Sequence, residues 1–288
     1  MKSSSLIQQL LSQESLNFWL TNRIPRVLFT RWMGKISHIR HPIFVRLALY
    51  LWKEFSPLDL TEAQSQSFES IHDCFVRQLK PGSRRFVEGE EVFCSPCDAI
   101  VGVKGTVSKG ELLQAKGMVY SLSDLLQSEI DAEFCEGYEF VTLRLTSTMY
   151  HHFHAPLDLT IQHLRYVHGD VWNVNPPTLK RIQSLFAKNE RAVLRATMHQ
   201  SQQTFWMVPV AAVLVASMRF TFSDIHLHLG YQGPTEVNLL ASLGKGERMG
   251  WFEHGSTLIL LIPPGWTWCG PQPGETVLAG QALFSHAM

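Results

Sequence analysis

The chain has 288 residues, enough for one large domain or two small ones. Its 25 Lys and Arg balance 25 Asp and Glu, so no nucleic-acid partner is expected. No run approaches the ~18 apolar residues a spanning helix needs, and the opening Met-Lys-Ser-Ser-Ser is too polar for a secretory signal. Zero net charge hides an uneven spread. Residues 1–56 hold Lys2, Arg23, Arg26, Arg31, Lys35, Arg40, Arg46 and Lys53 against Glu14 and Glu54. A basic end on a neutral protein points to an anionic surface.

The first eighty residues read as helices. Ile43, Phe44, Leu47, Ala48, Leu51, Trp52 and Phe55 recur at helical spacing, and Ser56-Pro57 stops that helix. Thr61 opens a second one, with Gln64 completing a capping box and Phe68, Ile71, Phe75 and Leu79 as its buried stripe up to Pro81-Gly82. Trp19, Trp32 and Trp52 share the basic region. Basic charge, tryptophan and an apolar face suit helices lying on a lipid surface, or docked on the protein's own core. From Phe86 the texture becomes extended. Val141, Leu143 and Leu145 alternate with Thr142, Arg144 and Thr146 as a half-buried strand. Leu159–His168, Ala192–Met198 and Phe205–Ser217 read as strands, Met207–Met218 and Leu258–Ile262 as buried ones, and Ser123 as the cap of a short helix through Gln127. No βαβ rhythm or dinucleotide fingerprint is present. The expected fold is α+β: an amphipathic helical region, 1–82, on a mainly antiparallel β catalytic body, 83–288.

Five cysteines at irregular positions suit free thiols in a reducing compartment. Cys94 and Cys97 form a lone Cys-x-x-Cys. His151, His152 and His154 have no Cys or carboxylate at zinc-ligand spacing, so no metal is expected. His163, His168, His226 and His228 read as structural or surface residues.

The chemistry concentrates in Lys245-Gly-Glu-Arg-Met-Gly-Trp-Phe-Glu-His-Gly-Ser-Thr257. A Gly-Ser bond can rearrange. Glycine leaves its carbonyl open, and the following serine hydroxyl can attack it in an N→O acyl shift. The ester can eliminate to dehydroalanine, which hydrolyses to a pyruvoyl group. Gly-Ser-Thr alone is weak evidence, since small residues also make turns.

Its company strengthens it. Tyr150, His151, His154 and Pro156 form Tyr-His-x-x-His-x-Pro, and Ser95, Pro96 and Asp98 form Ser-Pro-x-Asp. Further echoes are Phe75-Val-Arg-Gln-Leu-Lys-Pro-Gly82, Lys116-Gly with Tyr120-Ser-Leu-Ser-Asp-Leu-Leu126, and Asn189-Glu-Arg191. In order and spacing these motifs resemble the phosphatidylserine decarboxylase family over most of the chain. The chain departs from the family's usual residues at His254, where leucine is common, and at Ala99, where glycine is. Ala216–Ser223 matches only loosely.

The resemblance implies a self-cleavage site between Gly255 and Ser256, with Ser256 as precursor of a covalent pyruvoyl cofactor. It implies His154 as the base, Asp98 as the acid that holds the His154 ring, and His151 or His154, with His151 preferred, as the proton donor after decarboxylation. It implies conversion of phosphatidylserine to phosphatidylethanolamine and CO2 through a Schiff base to the pyruvoyl group. The expected setting is peripheral, on the cytoplasmic face of a bacterial cell membrane. Phosphatidylserine and an anionic surface are the partners, the two fragments stay associated, and a homodimer is an alternative to a monomer. Rival readings are a pyruvoyl decarboxylase of a soluble amino acid and a catalytically silent lipid-binding homologue.

Overall fold

The structure, a computed structural model, describes residues 25–115, 117–213, 217–253 and 256–286. The expectations for Lys2, Glu14, Trp19, Arg23, Lys116, His254 and Gly255 lie outside those residues.

The described chain begins with helices α1 (Arg26–Ser37), α2 (Pro42–Phe55) and α3 (Ile71–Phe75). Pro42 opens α2, where its missing N–H costs nothing, and Ser56 closes it in an extended conformation. The helix expected from Thr61 does not form; only its Ile71–Phe75 portion is helical, capped by the Ser70 hydroxyl on the Asp73 N–H. Residues 62–64 instead fold back on 78–80. Gln64 donates to the Gln78 carbonyl and Lys80 to that of Glu62. Local polar side chains disfavour the helical alternative: Asp59 accepts from the Thr61 N–H, and Ser65 from the Ser67 N–H.

The body is a set of antiparallel sheets. Its strands are β1 (Val92–Cys94), β2 (Ala99–Thr106), β3 (Glu111–Ala115), β4 (Met118–Ser121), β5 (Glu139–Leu145), β6 (His152–His154), β7 (Leu159–Val167), β8 (Arg191–Met198) and β9 (Thr204–Ala211). They continue as β10 (Ser217–Phe220), β11 (His226–His228), β12 (Glu236–Leu243), β13 (Arg248–Phe252), β14 (Ser256–Ile262), β15 (Trp266–Trp268), β16 (Thr276–Val277) and β17 (Ala282–His286). Four short helices, Leu122–Leu126, Glu129–Phe134, Pro176–Leu179 and Leu185–Lys188, fill the connections. The first of these is capped by Ser121, two residues earlier than the expected Ser123, because the Ser121 hydroxyl reaches the Asp124 N–H.

The largest sheet has eight strands in the order β12-β7-β8-β9-β14-β5-β2-β16. It carries an apolar cluster on each face. Leu258, Leu260 and Ile262 enter one, and Ile259 and Leu261 enter the other. Central strands covered on both sides lose the polar/apolar alternation of a solvated sheet. That explains why β14 is buried at every position, and why Thr142, read as solvent-facing on a half-buried strand, is buried. The first cluster is shared with a four-stranded sheet, β11-β10-β13-β6, through Met218, Met249, Phe252 and Phe153.

Helices α1 and α2 touch this body at few points. Arg26 pairs with Asp170 at 2.6 Å and lies over the Trp172 ring, and Trp52 stacks on Phe75. Val45 is the buried side chain of α2. Ile43 (74% exposed), Leu47, Tyr50 and Phe55 on α2, and Leu28 and Trp32 on α1, face outward. No described helix is long and apolar enough to cross a membrane.

Candidate active site

Ser256 opens the central strand β14. Registers place it beside Ala211 of β9 and Leu145 of β5. The β2–β5 register, Ile100 opposite Arg144, sets Ala99 beside Leu145. A row therefore crosses the sheet at one end, Ala211–Ser256–Leu145–Ala99, with Asp98 immediately before Ala99. Residues directly opposite in antiparallel strands face the same side, and Ala211, Leu145 and Ala99 all belong to the first apolar cluster. The Ser256 side chain is fully buried, and its hydroxyl has no hydrogen-bond partner among the described residues. A hydroxyl so placed is costly in a folded core unless it has another use.

The Tyr-His-x-x-His strand runs beside the segment that leads to Ser256. β6 pairs with β13, His152 opposite Trp251, and the Phe252 N–H donates to the His151 carbonyl. The chain then passes through Glu253, His254 and Gly255 to Ser256. Glu253 is anchored: Ser217 and His226 meet one carboxylate oxygen at 2.5 and 3.1 Å, and Arg219 donates to the other at 3.0 Å. Burial opposes its ionisation, but those bonds prevail and hold it well below the usual carboxylate range. His226, read from sequence as structural, serves this anchor.

The histidines differ in environment. The His151 ring is buried against Phe75, with centroids 3.8 Å apart. His152 stacks between Tyr150 and Trp251 and contacts the Val76 carbonyl at 2.9 Å; burial pushes its pKa down to about 4. His154 has its Nδ1 2.9 Å from the Gly246 carbonyl and its Nε2 3.0 Å from the Tyr150 hydroxyl. A carbonyl can only accept, so Nδ1 carries the proton and Nε2 accepts from Tyr150. Burial, reinforced by the Arg248 charge, lowers the His154 pKa against the opposing pull of the Gly246 carbonyl and Asp98. The ring is therefore neutral near pH 7.

The Asp98–His154 hydrogen bond expected from the motifs is not formed. Arg84 takes the Asp98 carboxylate instead, Nε at 2.8 Å and a terminal nitrogen at 2.5 Å, and the Ala279 N–H adds a third bond at 2.9 Å. A bidentate guanidinium is a stronger partner than an imidazole whose two nitrogens are already engaged. Asp98 acts on His154 as a nearby negative charge. Likewise, the Ser256 hydroxyl makes no hydrogen bond to His154.

Sequence reading gave no role to Arg84, and no motif marks it. Tyr150 lay inside a motif but was not assigned. Cys94 and Cys97 are buried with their thiols pushed up by that burial, which leaves them poor nucleophiles. Among the described residues, no group of three or more His, Cys, Asp or Glu is placed to hold a metal ion.

On the opposite face of the sheet, Thr257 lines a cavity of about 610 Å³. Its walls are mainly apolar, with Ile100, Val103, Leu179 and Phe186, and it contains Arg144. Arg144 sits opposite Thr257 in register, has no carboxylate partner among the described residues, and has its affinity for a proton lowered by burial.

Residues 71–285, which include Asp98, Tyr150, His151, His154 and Ser256, match the family model described as phosphatidylserine decarboxylase. A phosphatidylserine decarboxylase proenzyme of Brevibacillus brevis is 31% identical over 272 residues, 92% of this chain and 95% of the relative. Proteins of the same name from Vibrio cholerae and Pseudoalteromonas translucida are 34% and 33% identical, over 86% and 82% of this chain and 88% and 85% of theirs. The chain is an enzyme of the phosphatidylserine decarboxylase family.

Proposed function

We propose that this chain cleaves itself between Gly255 and Ser256 and then decarboxylates phosphatidylserine to phosphatidylethanolamine at an anionic lipid surface. The observation that carries this reading is the buried Ser256 hydroxyl. It has no hydrogen-bond partner, it follows a glycine, and it shares one end of the sheet with Asp98.

In the cleavage step, His154 Nε2 takes the Ser256 proton after exchanging its Tyr150 contact. Ser256 Oγ bonds to the Gly255 carbonyl carbon, the Gly255–Ser256 C–N bond breaks, and a proton reaches the released nitrogen. Elimination from the ester and hydrolysis, with loss of ammonia, convert residue 256 into a pyruvoyl group. The dry, apolar surroundings of Ser256 fit such a group, because its ketone would be shielded from solvent. When present, it supplies an electron sink for the pair left behind by CO2. Asp98, fixed by Arg84, keeps negative charge near His154. His151 is the proposed proton source for the substrate carbon. The two fragments remain joined because β14, β16 and β17 of the smaller one stay paired to β5, β9, β2 and β1 of the larger.

The lipid assignment draws on two surfaces. The Arg144 cavity sets a cation with no carboxylate partner among the described residues, together with Lys104 and Lys180, against mainly apolar walls, as a phosphodiester with attached acyl chains requires. Replacing Arg144 with Met should raise KM for phosphatidylserine about tenfold or more, with self-cleavage intact; unchanged KM would remove the cavity from substrate binding. The outward residues of α1 and α2 offer an apolar face beside Arg31, Lys35, Arg46 and Lys53. Near an anionic membrane each such cation contributes about 1 kcal/mol. Leu28→Ser, Trp32→Ser and Ile43→Ser together should lower binding to phosphatidylserine vesicles in co-sedimentation, whereas undiminished binding would place the contact elsewhere. This outward face also disfavours a soluble amino acid as substrate.

The test of the function as a whole is the intact mass of purified protein with CO2 release from phosphatidylserine. Two fragments meeting at residues 255 and 256, the smaller one blocked to N-terminal sequencing, are expected. A single full-length chain that binds serine lipid without releasing CO2 would refute the reading.

A further inference from the structure

The Asn189-Glu-Arg191 motif contains one side chain that the fold does not use. Asn189 accepts from the Trp172 N–H and donates to the carbonyls of Trp172 and Ala211. Arg191 donates to the carbonyls of Leu125, Ala187, Asn189 and Asp124. These bonds fix the backbone on both sides of residue 190. Glu190 itself is 2% exposed, and neither carboxylate oxygen has a hydrogen-bond partner.

Its position is defined by the sheet. Arg191 pairs with Val210, and the Ala211 N–H donates to the Glu190 carbonyl, so Glu190 lies opposite Ala211. Ala211 lies in turn opposite Ser256. The row at this end of the sheet is therefore Glu190–Ala211–Ser256, with the small alanine between two buried polar side chains that both lack partners. Two strand spacings separate the backbones of 190 and 256, about 10 Å. A glutamate side chain extended across the alanine methyl and a serine turned towards it have the combined reach to close that gap through one hydrogen bond or one bridging water, although the two groups are not bonded in this structure.

We propose that Glu190 is a catalytic proton carrier of the self-cleavage centre, acting across Ala211 on the Ser256 nitrogen. The inference rests on the self-cleavage reading above. As a neutral acid, Glu190 donates its proton to that nitrogen while the Gly255–Ser256 C–N bond breaks and His154 holds the proton from Oγ. As a carboxylate, it then accepts the Ser256 Cα proton that elimination releases, which restores the acid. The proton on His154 leaves with the ammonia formed on hydrolysis.

The electrostatics agree. Burial alone pushes the Glu190 pKa up to about 8, because an ionised carboxylate without partners is disfavoured in apolar surroundings. Neighbouring charges are committed elsewhere: Asp170, whose carbonyl accepts the Glu190 N–H, is paired to Arg26, and Arg191 is bonded to carbonyls. From β9 and β14 the carboxyl faces Ala211 and Ser256. His254 lies two residues before Ser256 in the chain.

The test uses full-length chain made by cell-free translation, with cutting followed in time from pH 6 to 10. The parent rate should fall as pH rises through about 8. Glu190→Gln should cut about 100-fold more slowly and lose that alkaline limb; repeating both chains with His254→Leu removes the imidazole two residues before Ser256. In uncut Ser256→Ala chains, Glu190→Gln should raise the melting temperature. The gain should widen between about pH 4.5 and 8, since the folded acid resists an ionisation that the unfolded chain completes near its ordinary pKa. Cutting of Glu190→Gln at the parent rate with the alkaline limb retained would overturn the proposal while leaving self-cleavage intact. A parent chain that never cuts would instead refute the self-cleavage reading. If Glu190→Gln shows no cooperative melt, Glu190→Asp decides: slower cutting with an alkaline limb supports the role, and the parent rate excludes it.

Discussion

Ser256→Ala should leave a full-length chain with no decarboxylase activity. The hydroxyl is the nucleophile of the proposed cut, and its oxygen leaves with the Gly255 carboxylate on elimination; without it neither the cut nor the converted residue can form, so both stages fail together. The structure makes this variant a clean one. The Ser256 hydroxyl has no hydrogen-bond partner, and its neighbours in the row are Ala211 and Leu145. Removing an unsatisfied buried hydroxyl is close to neutral or mildly stabilising, so the variant should fold at least as well as the parent. Inactivity in a chain of unchanged melting temperature is then a chemical effect. Gel and intact mass report the cut, and CO2 release reports the activity. A fragment ending at Gly255 in the Ser256→Ala chain would show that another group performs the cleavage.

The buried strand that Ser256 opens was readable in the sequence because its signals are local. Gly-Ser-Thr followed by Leu-Ile-Leu-Leu-Ile reads as a cleavable bond at the mouth of a buried strand, and β14 is buried throughout. The extended segments around 159–168 and 192–198 were readable for the same reason: the pattern of each is contained in its own residues. What escaped depends on residues far apart in the chain. Arg84 meets Asp98 from a turn with no distinguishing pattern. Glu190 gains its place only from the order β8-β9-β14, which no single strand encodes.

The N-terminal region shows the other limit. A capping box and an apolar stripe pointed to a long helix from Thr61, yet backbone pairing between residues 62–64 and 78–80 satisfies the same groups differently. Periodicity reports that a helix would have an apolar face, and tertiary pairing decides whether the helix forms. In α2 the periodicity was right about the helix but did not say what the face meets. Ile43, Leu47 and Phe55 point away from the body, which turns a question about packing into one about an external surface.

His154→Gln should slow self-cleavage by about 100-fold or more, the scale expected when a positioned general base is lost. Glutamine keeps an acceptor and a donor for Tyr150 and Gly246, so the fold should persist while the basic nitrogen is gone. The pH dependence makes the prediction specific. Burial and Arg248 lower the His154 pKa, so the neutral base is present at neutral pH and is lost as pH falls below the ordinary histidine range. The parent chain should therefore show an acid limb from His154, and Glu190 would add an alkaline limb near pH 8. A bell-shaped profile with those two limbs describes one group that must be unprotonated and one that must be protonated. His154→Gln should abolish the acid limb and leave the alkaline one. Cutting at the parent rate with the acid limb in place would assign the base to another residue, and His151, whose backbone is tied to Phe252 in the strand entering the cut, would be the next to replace.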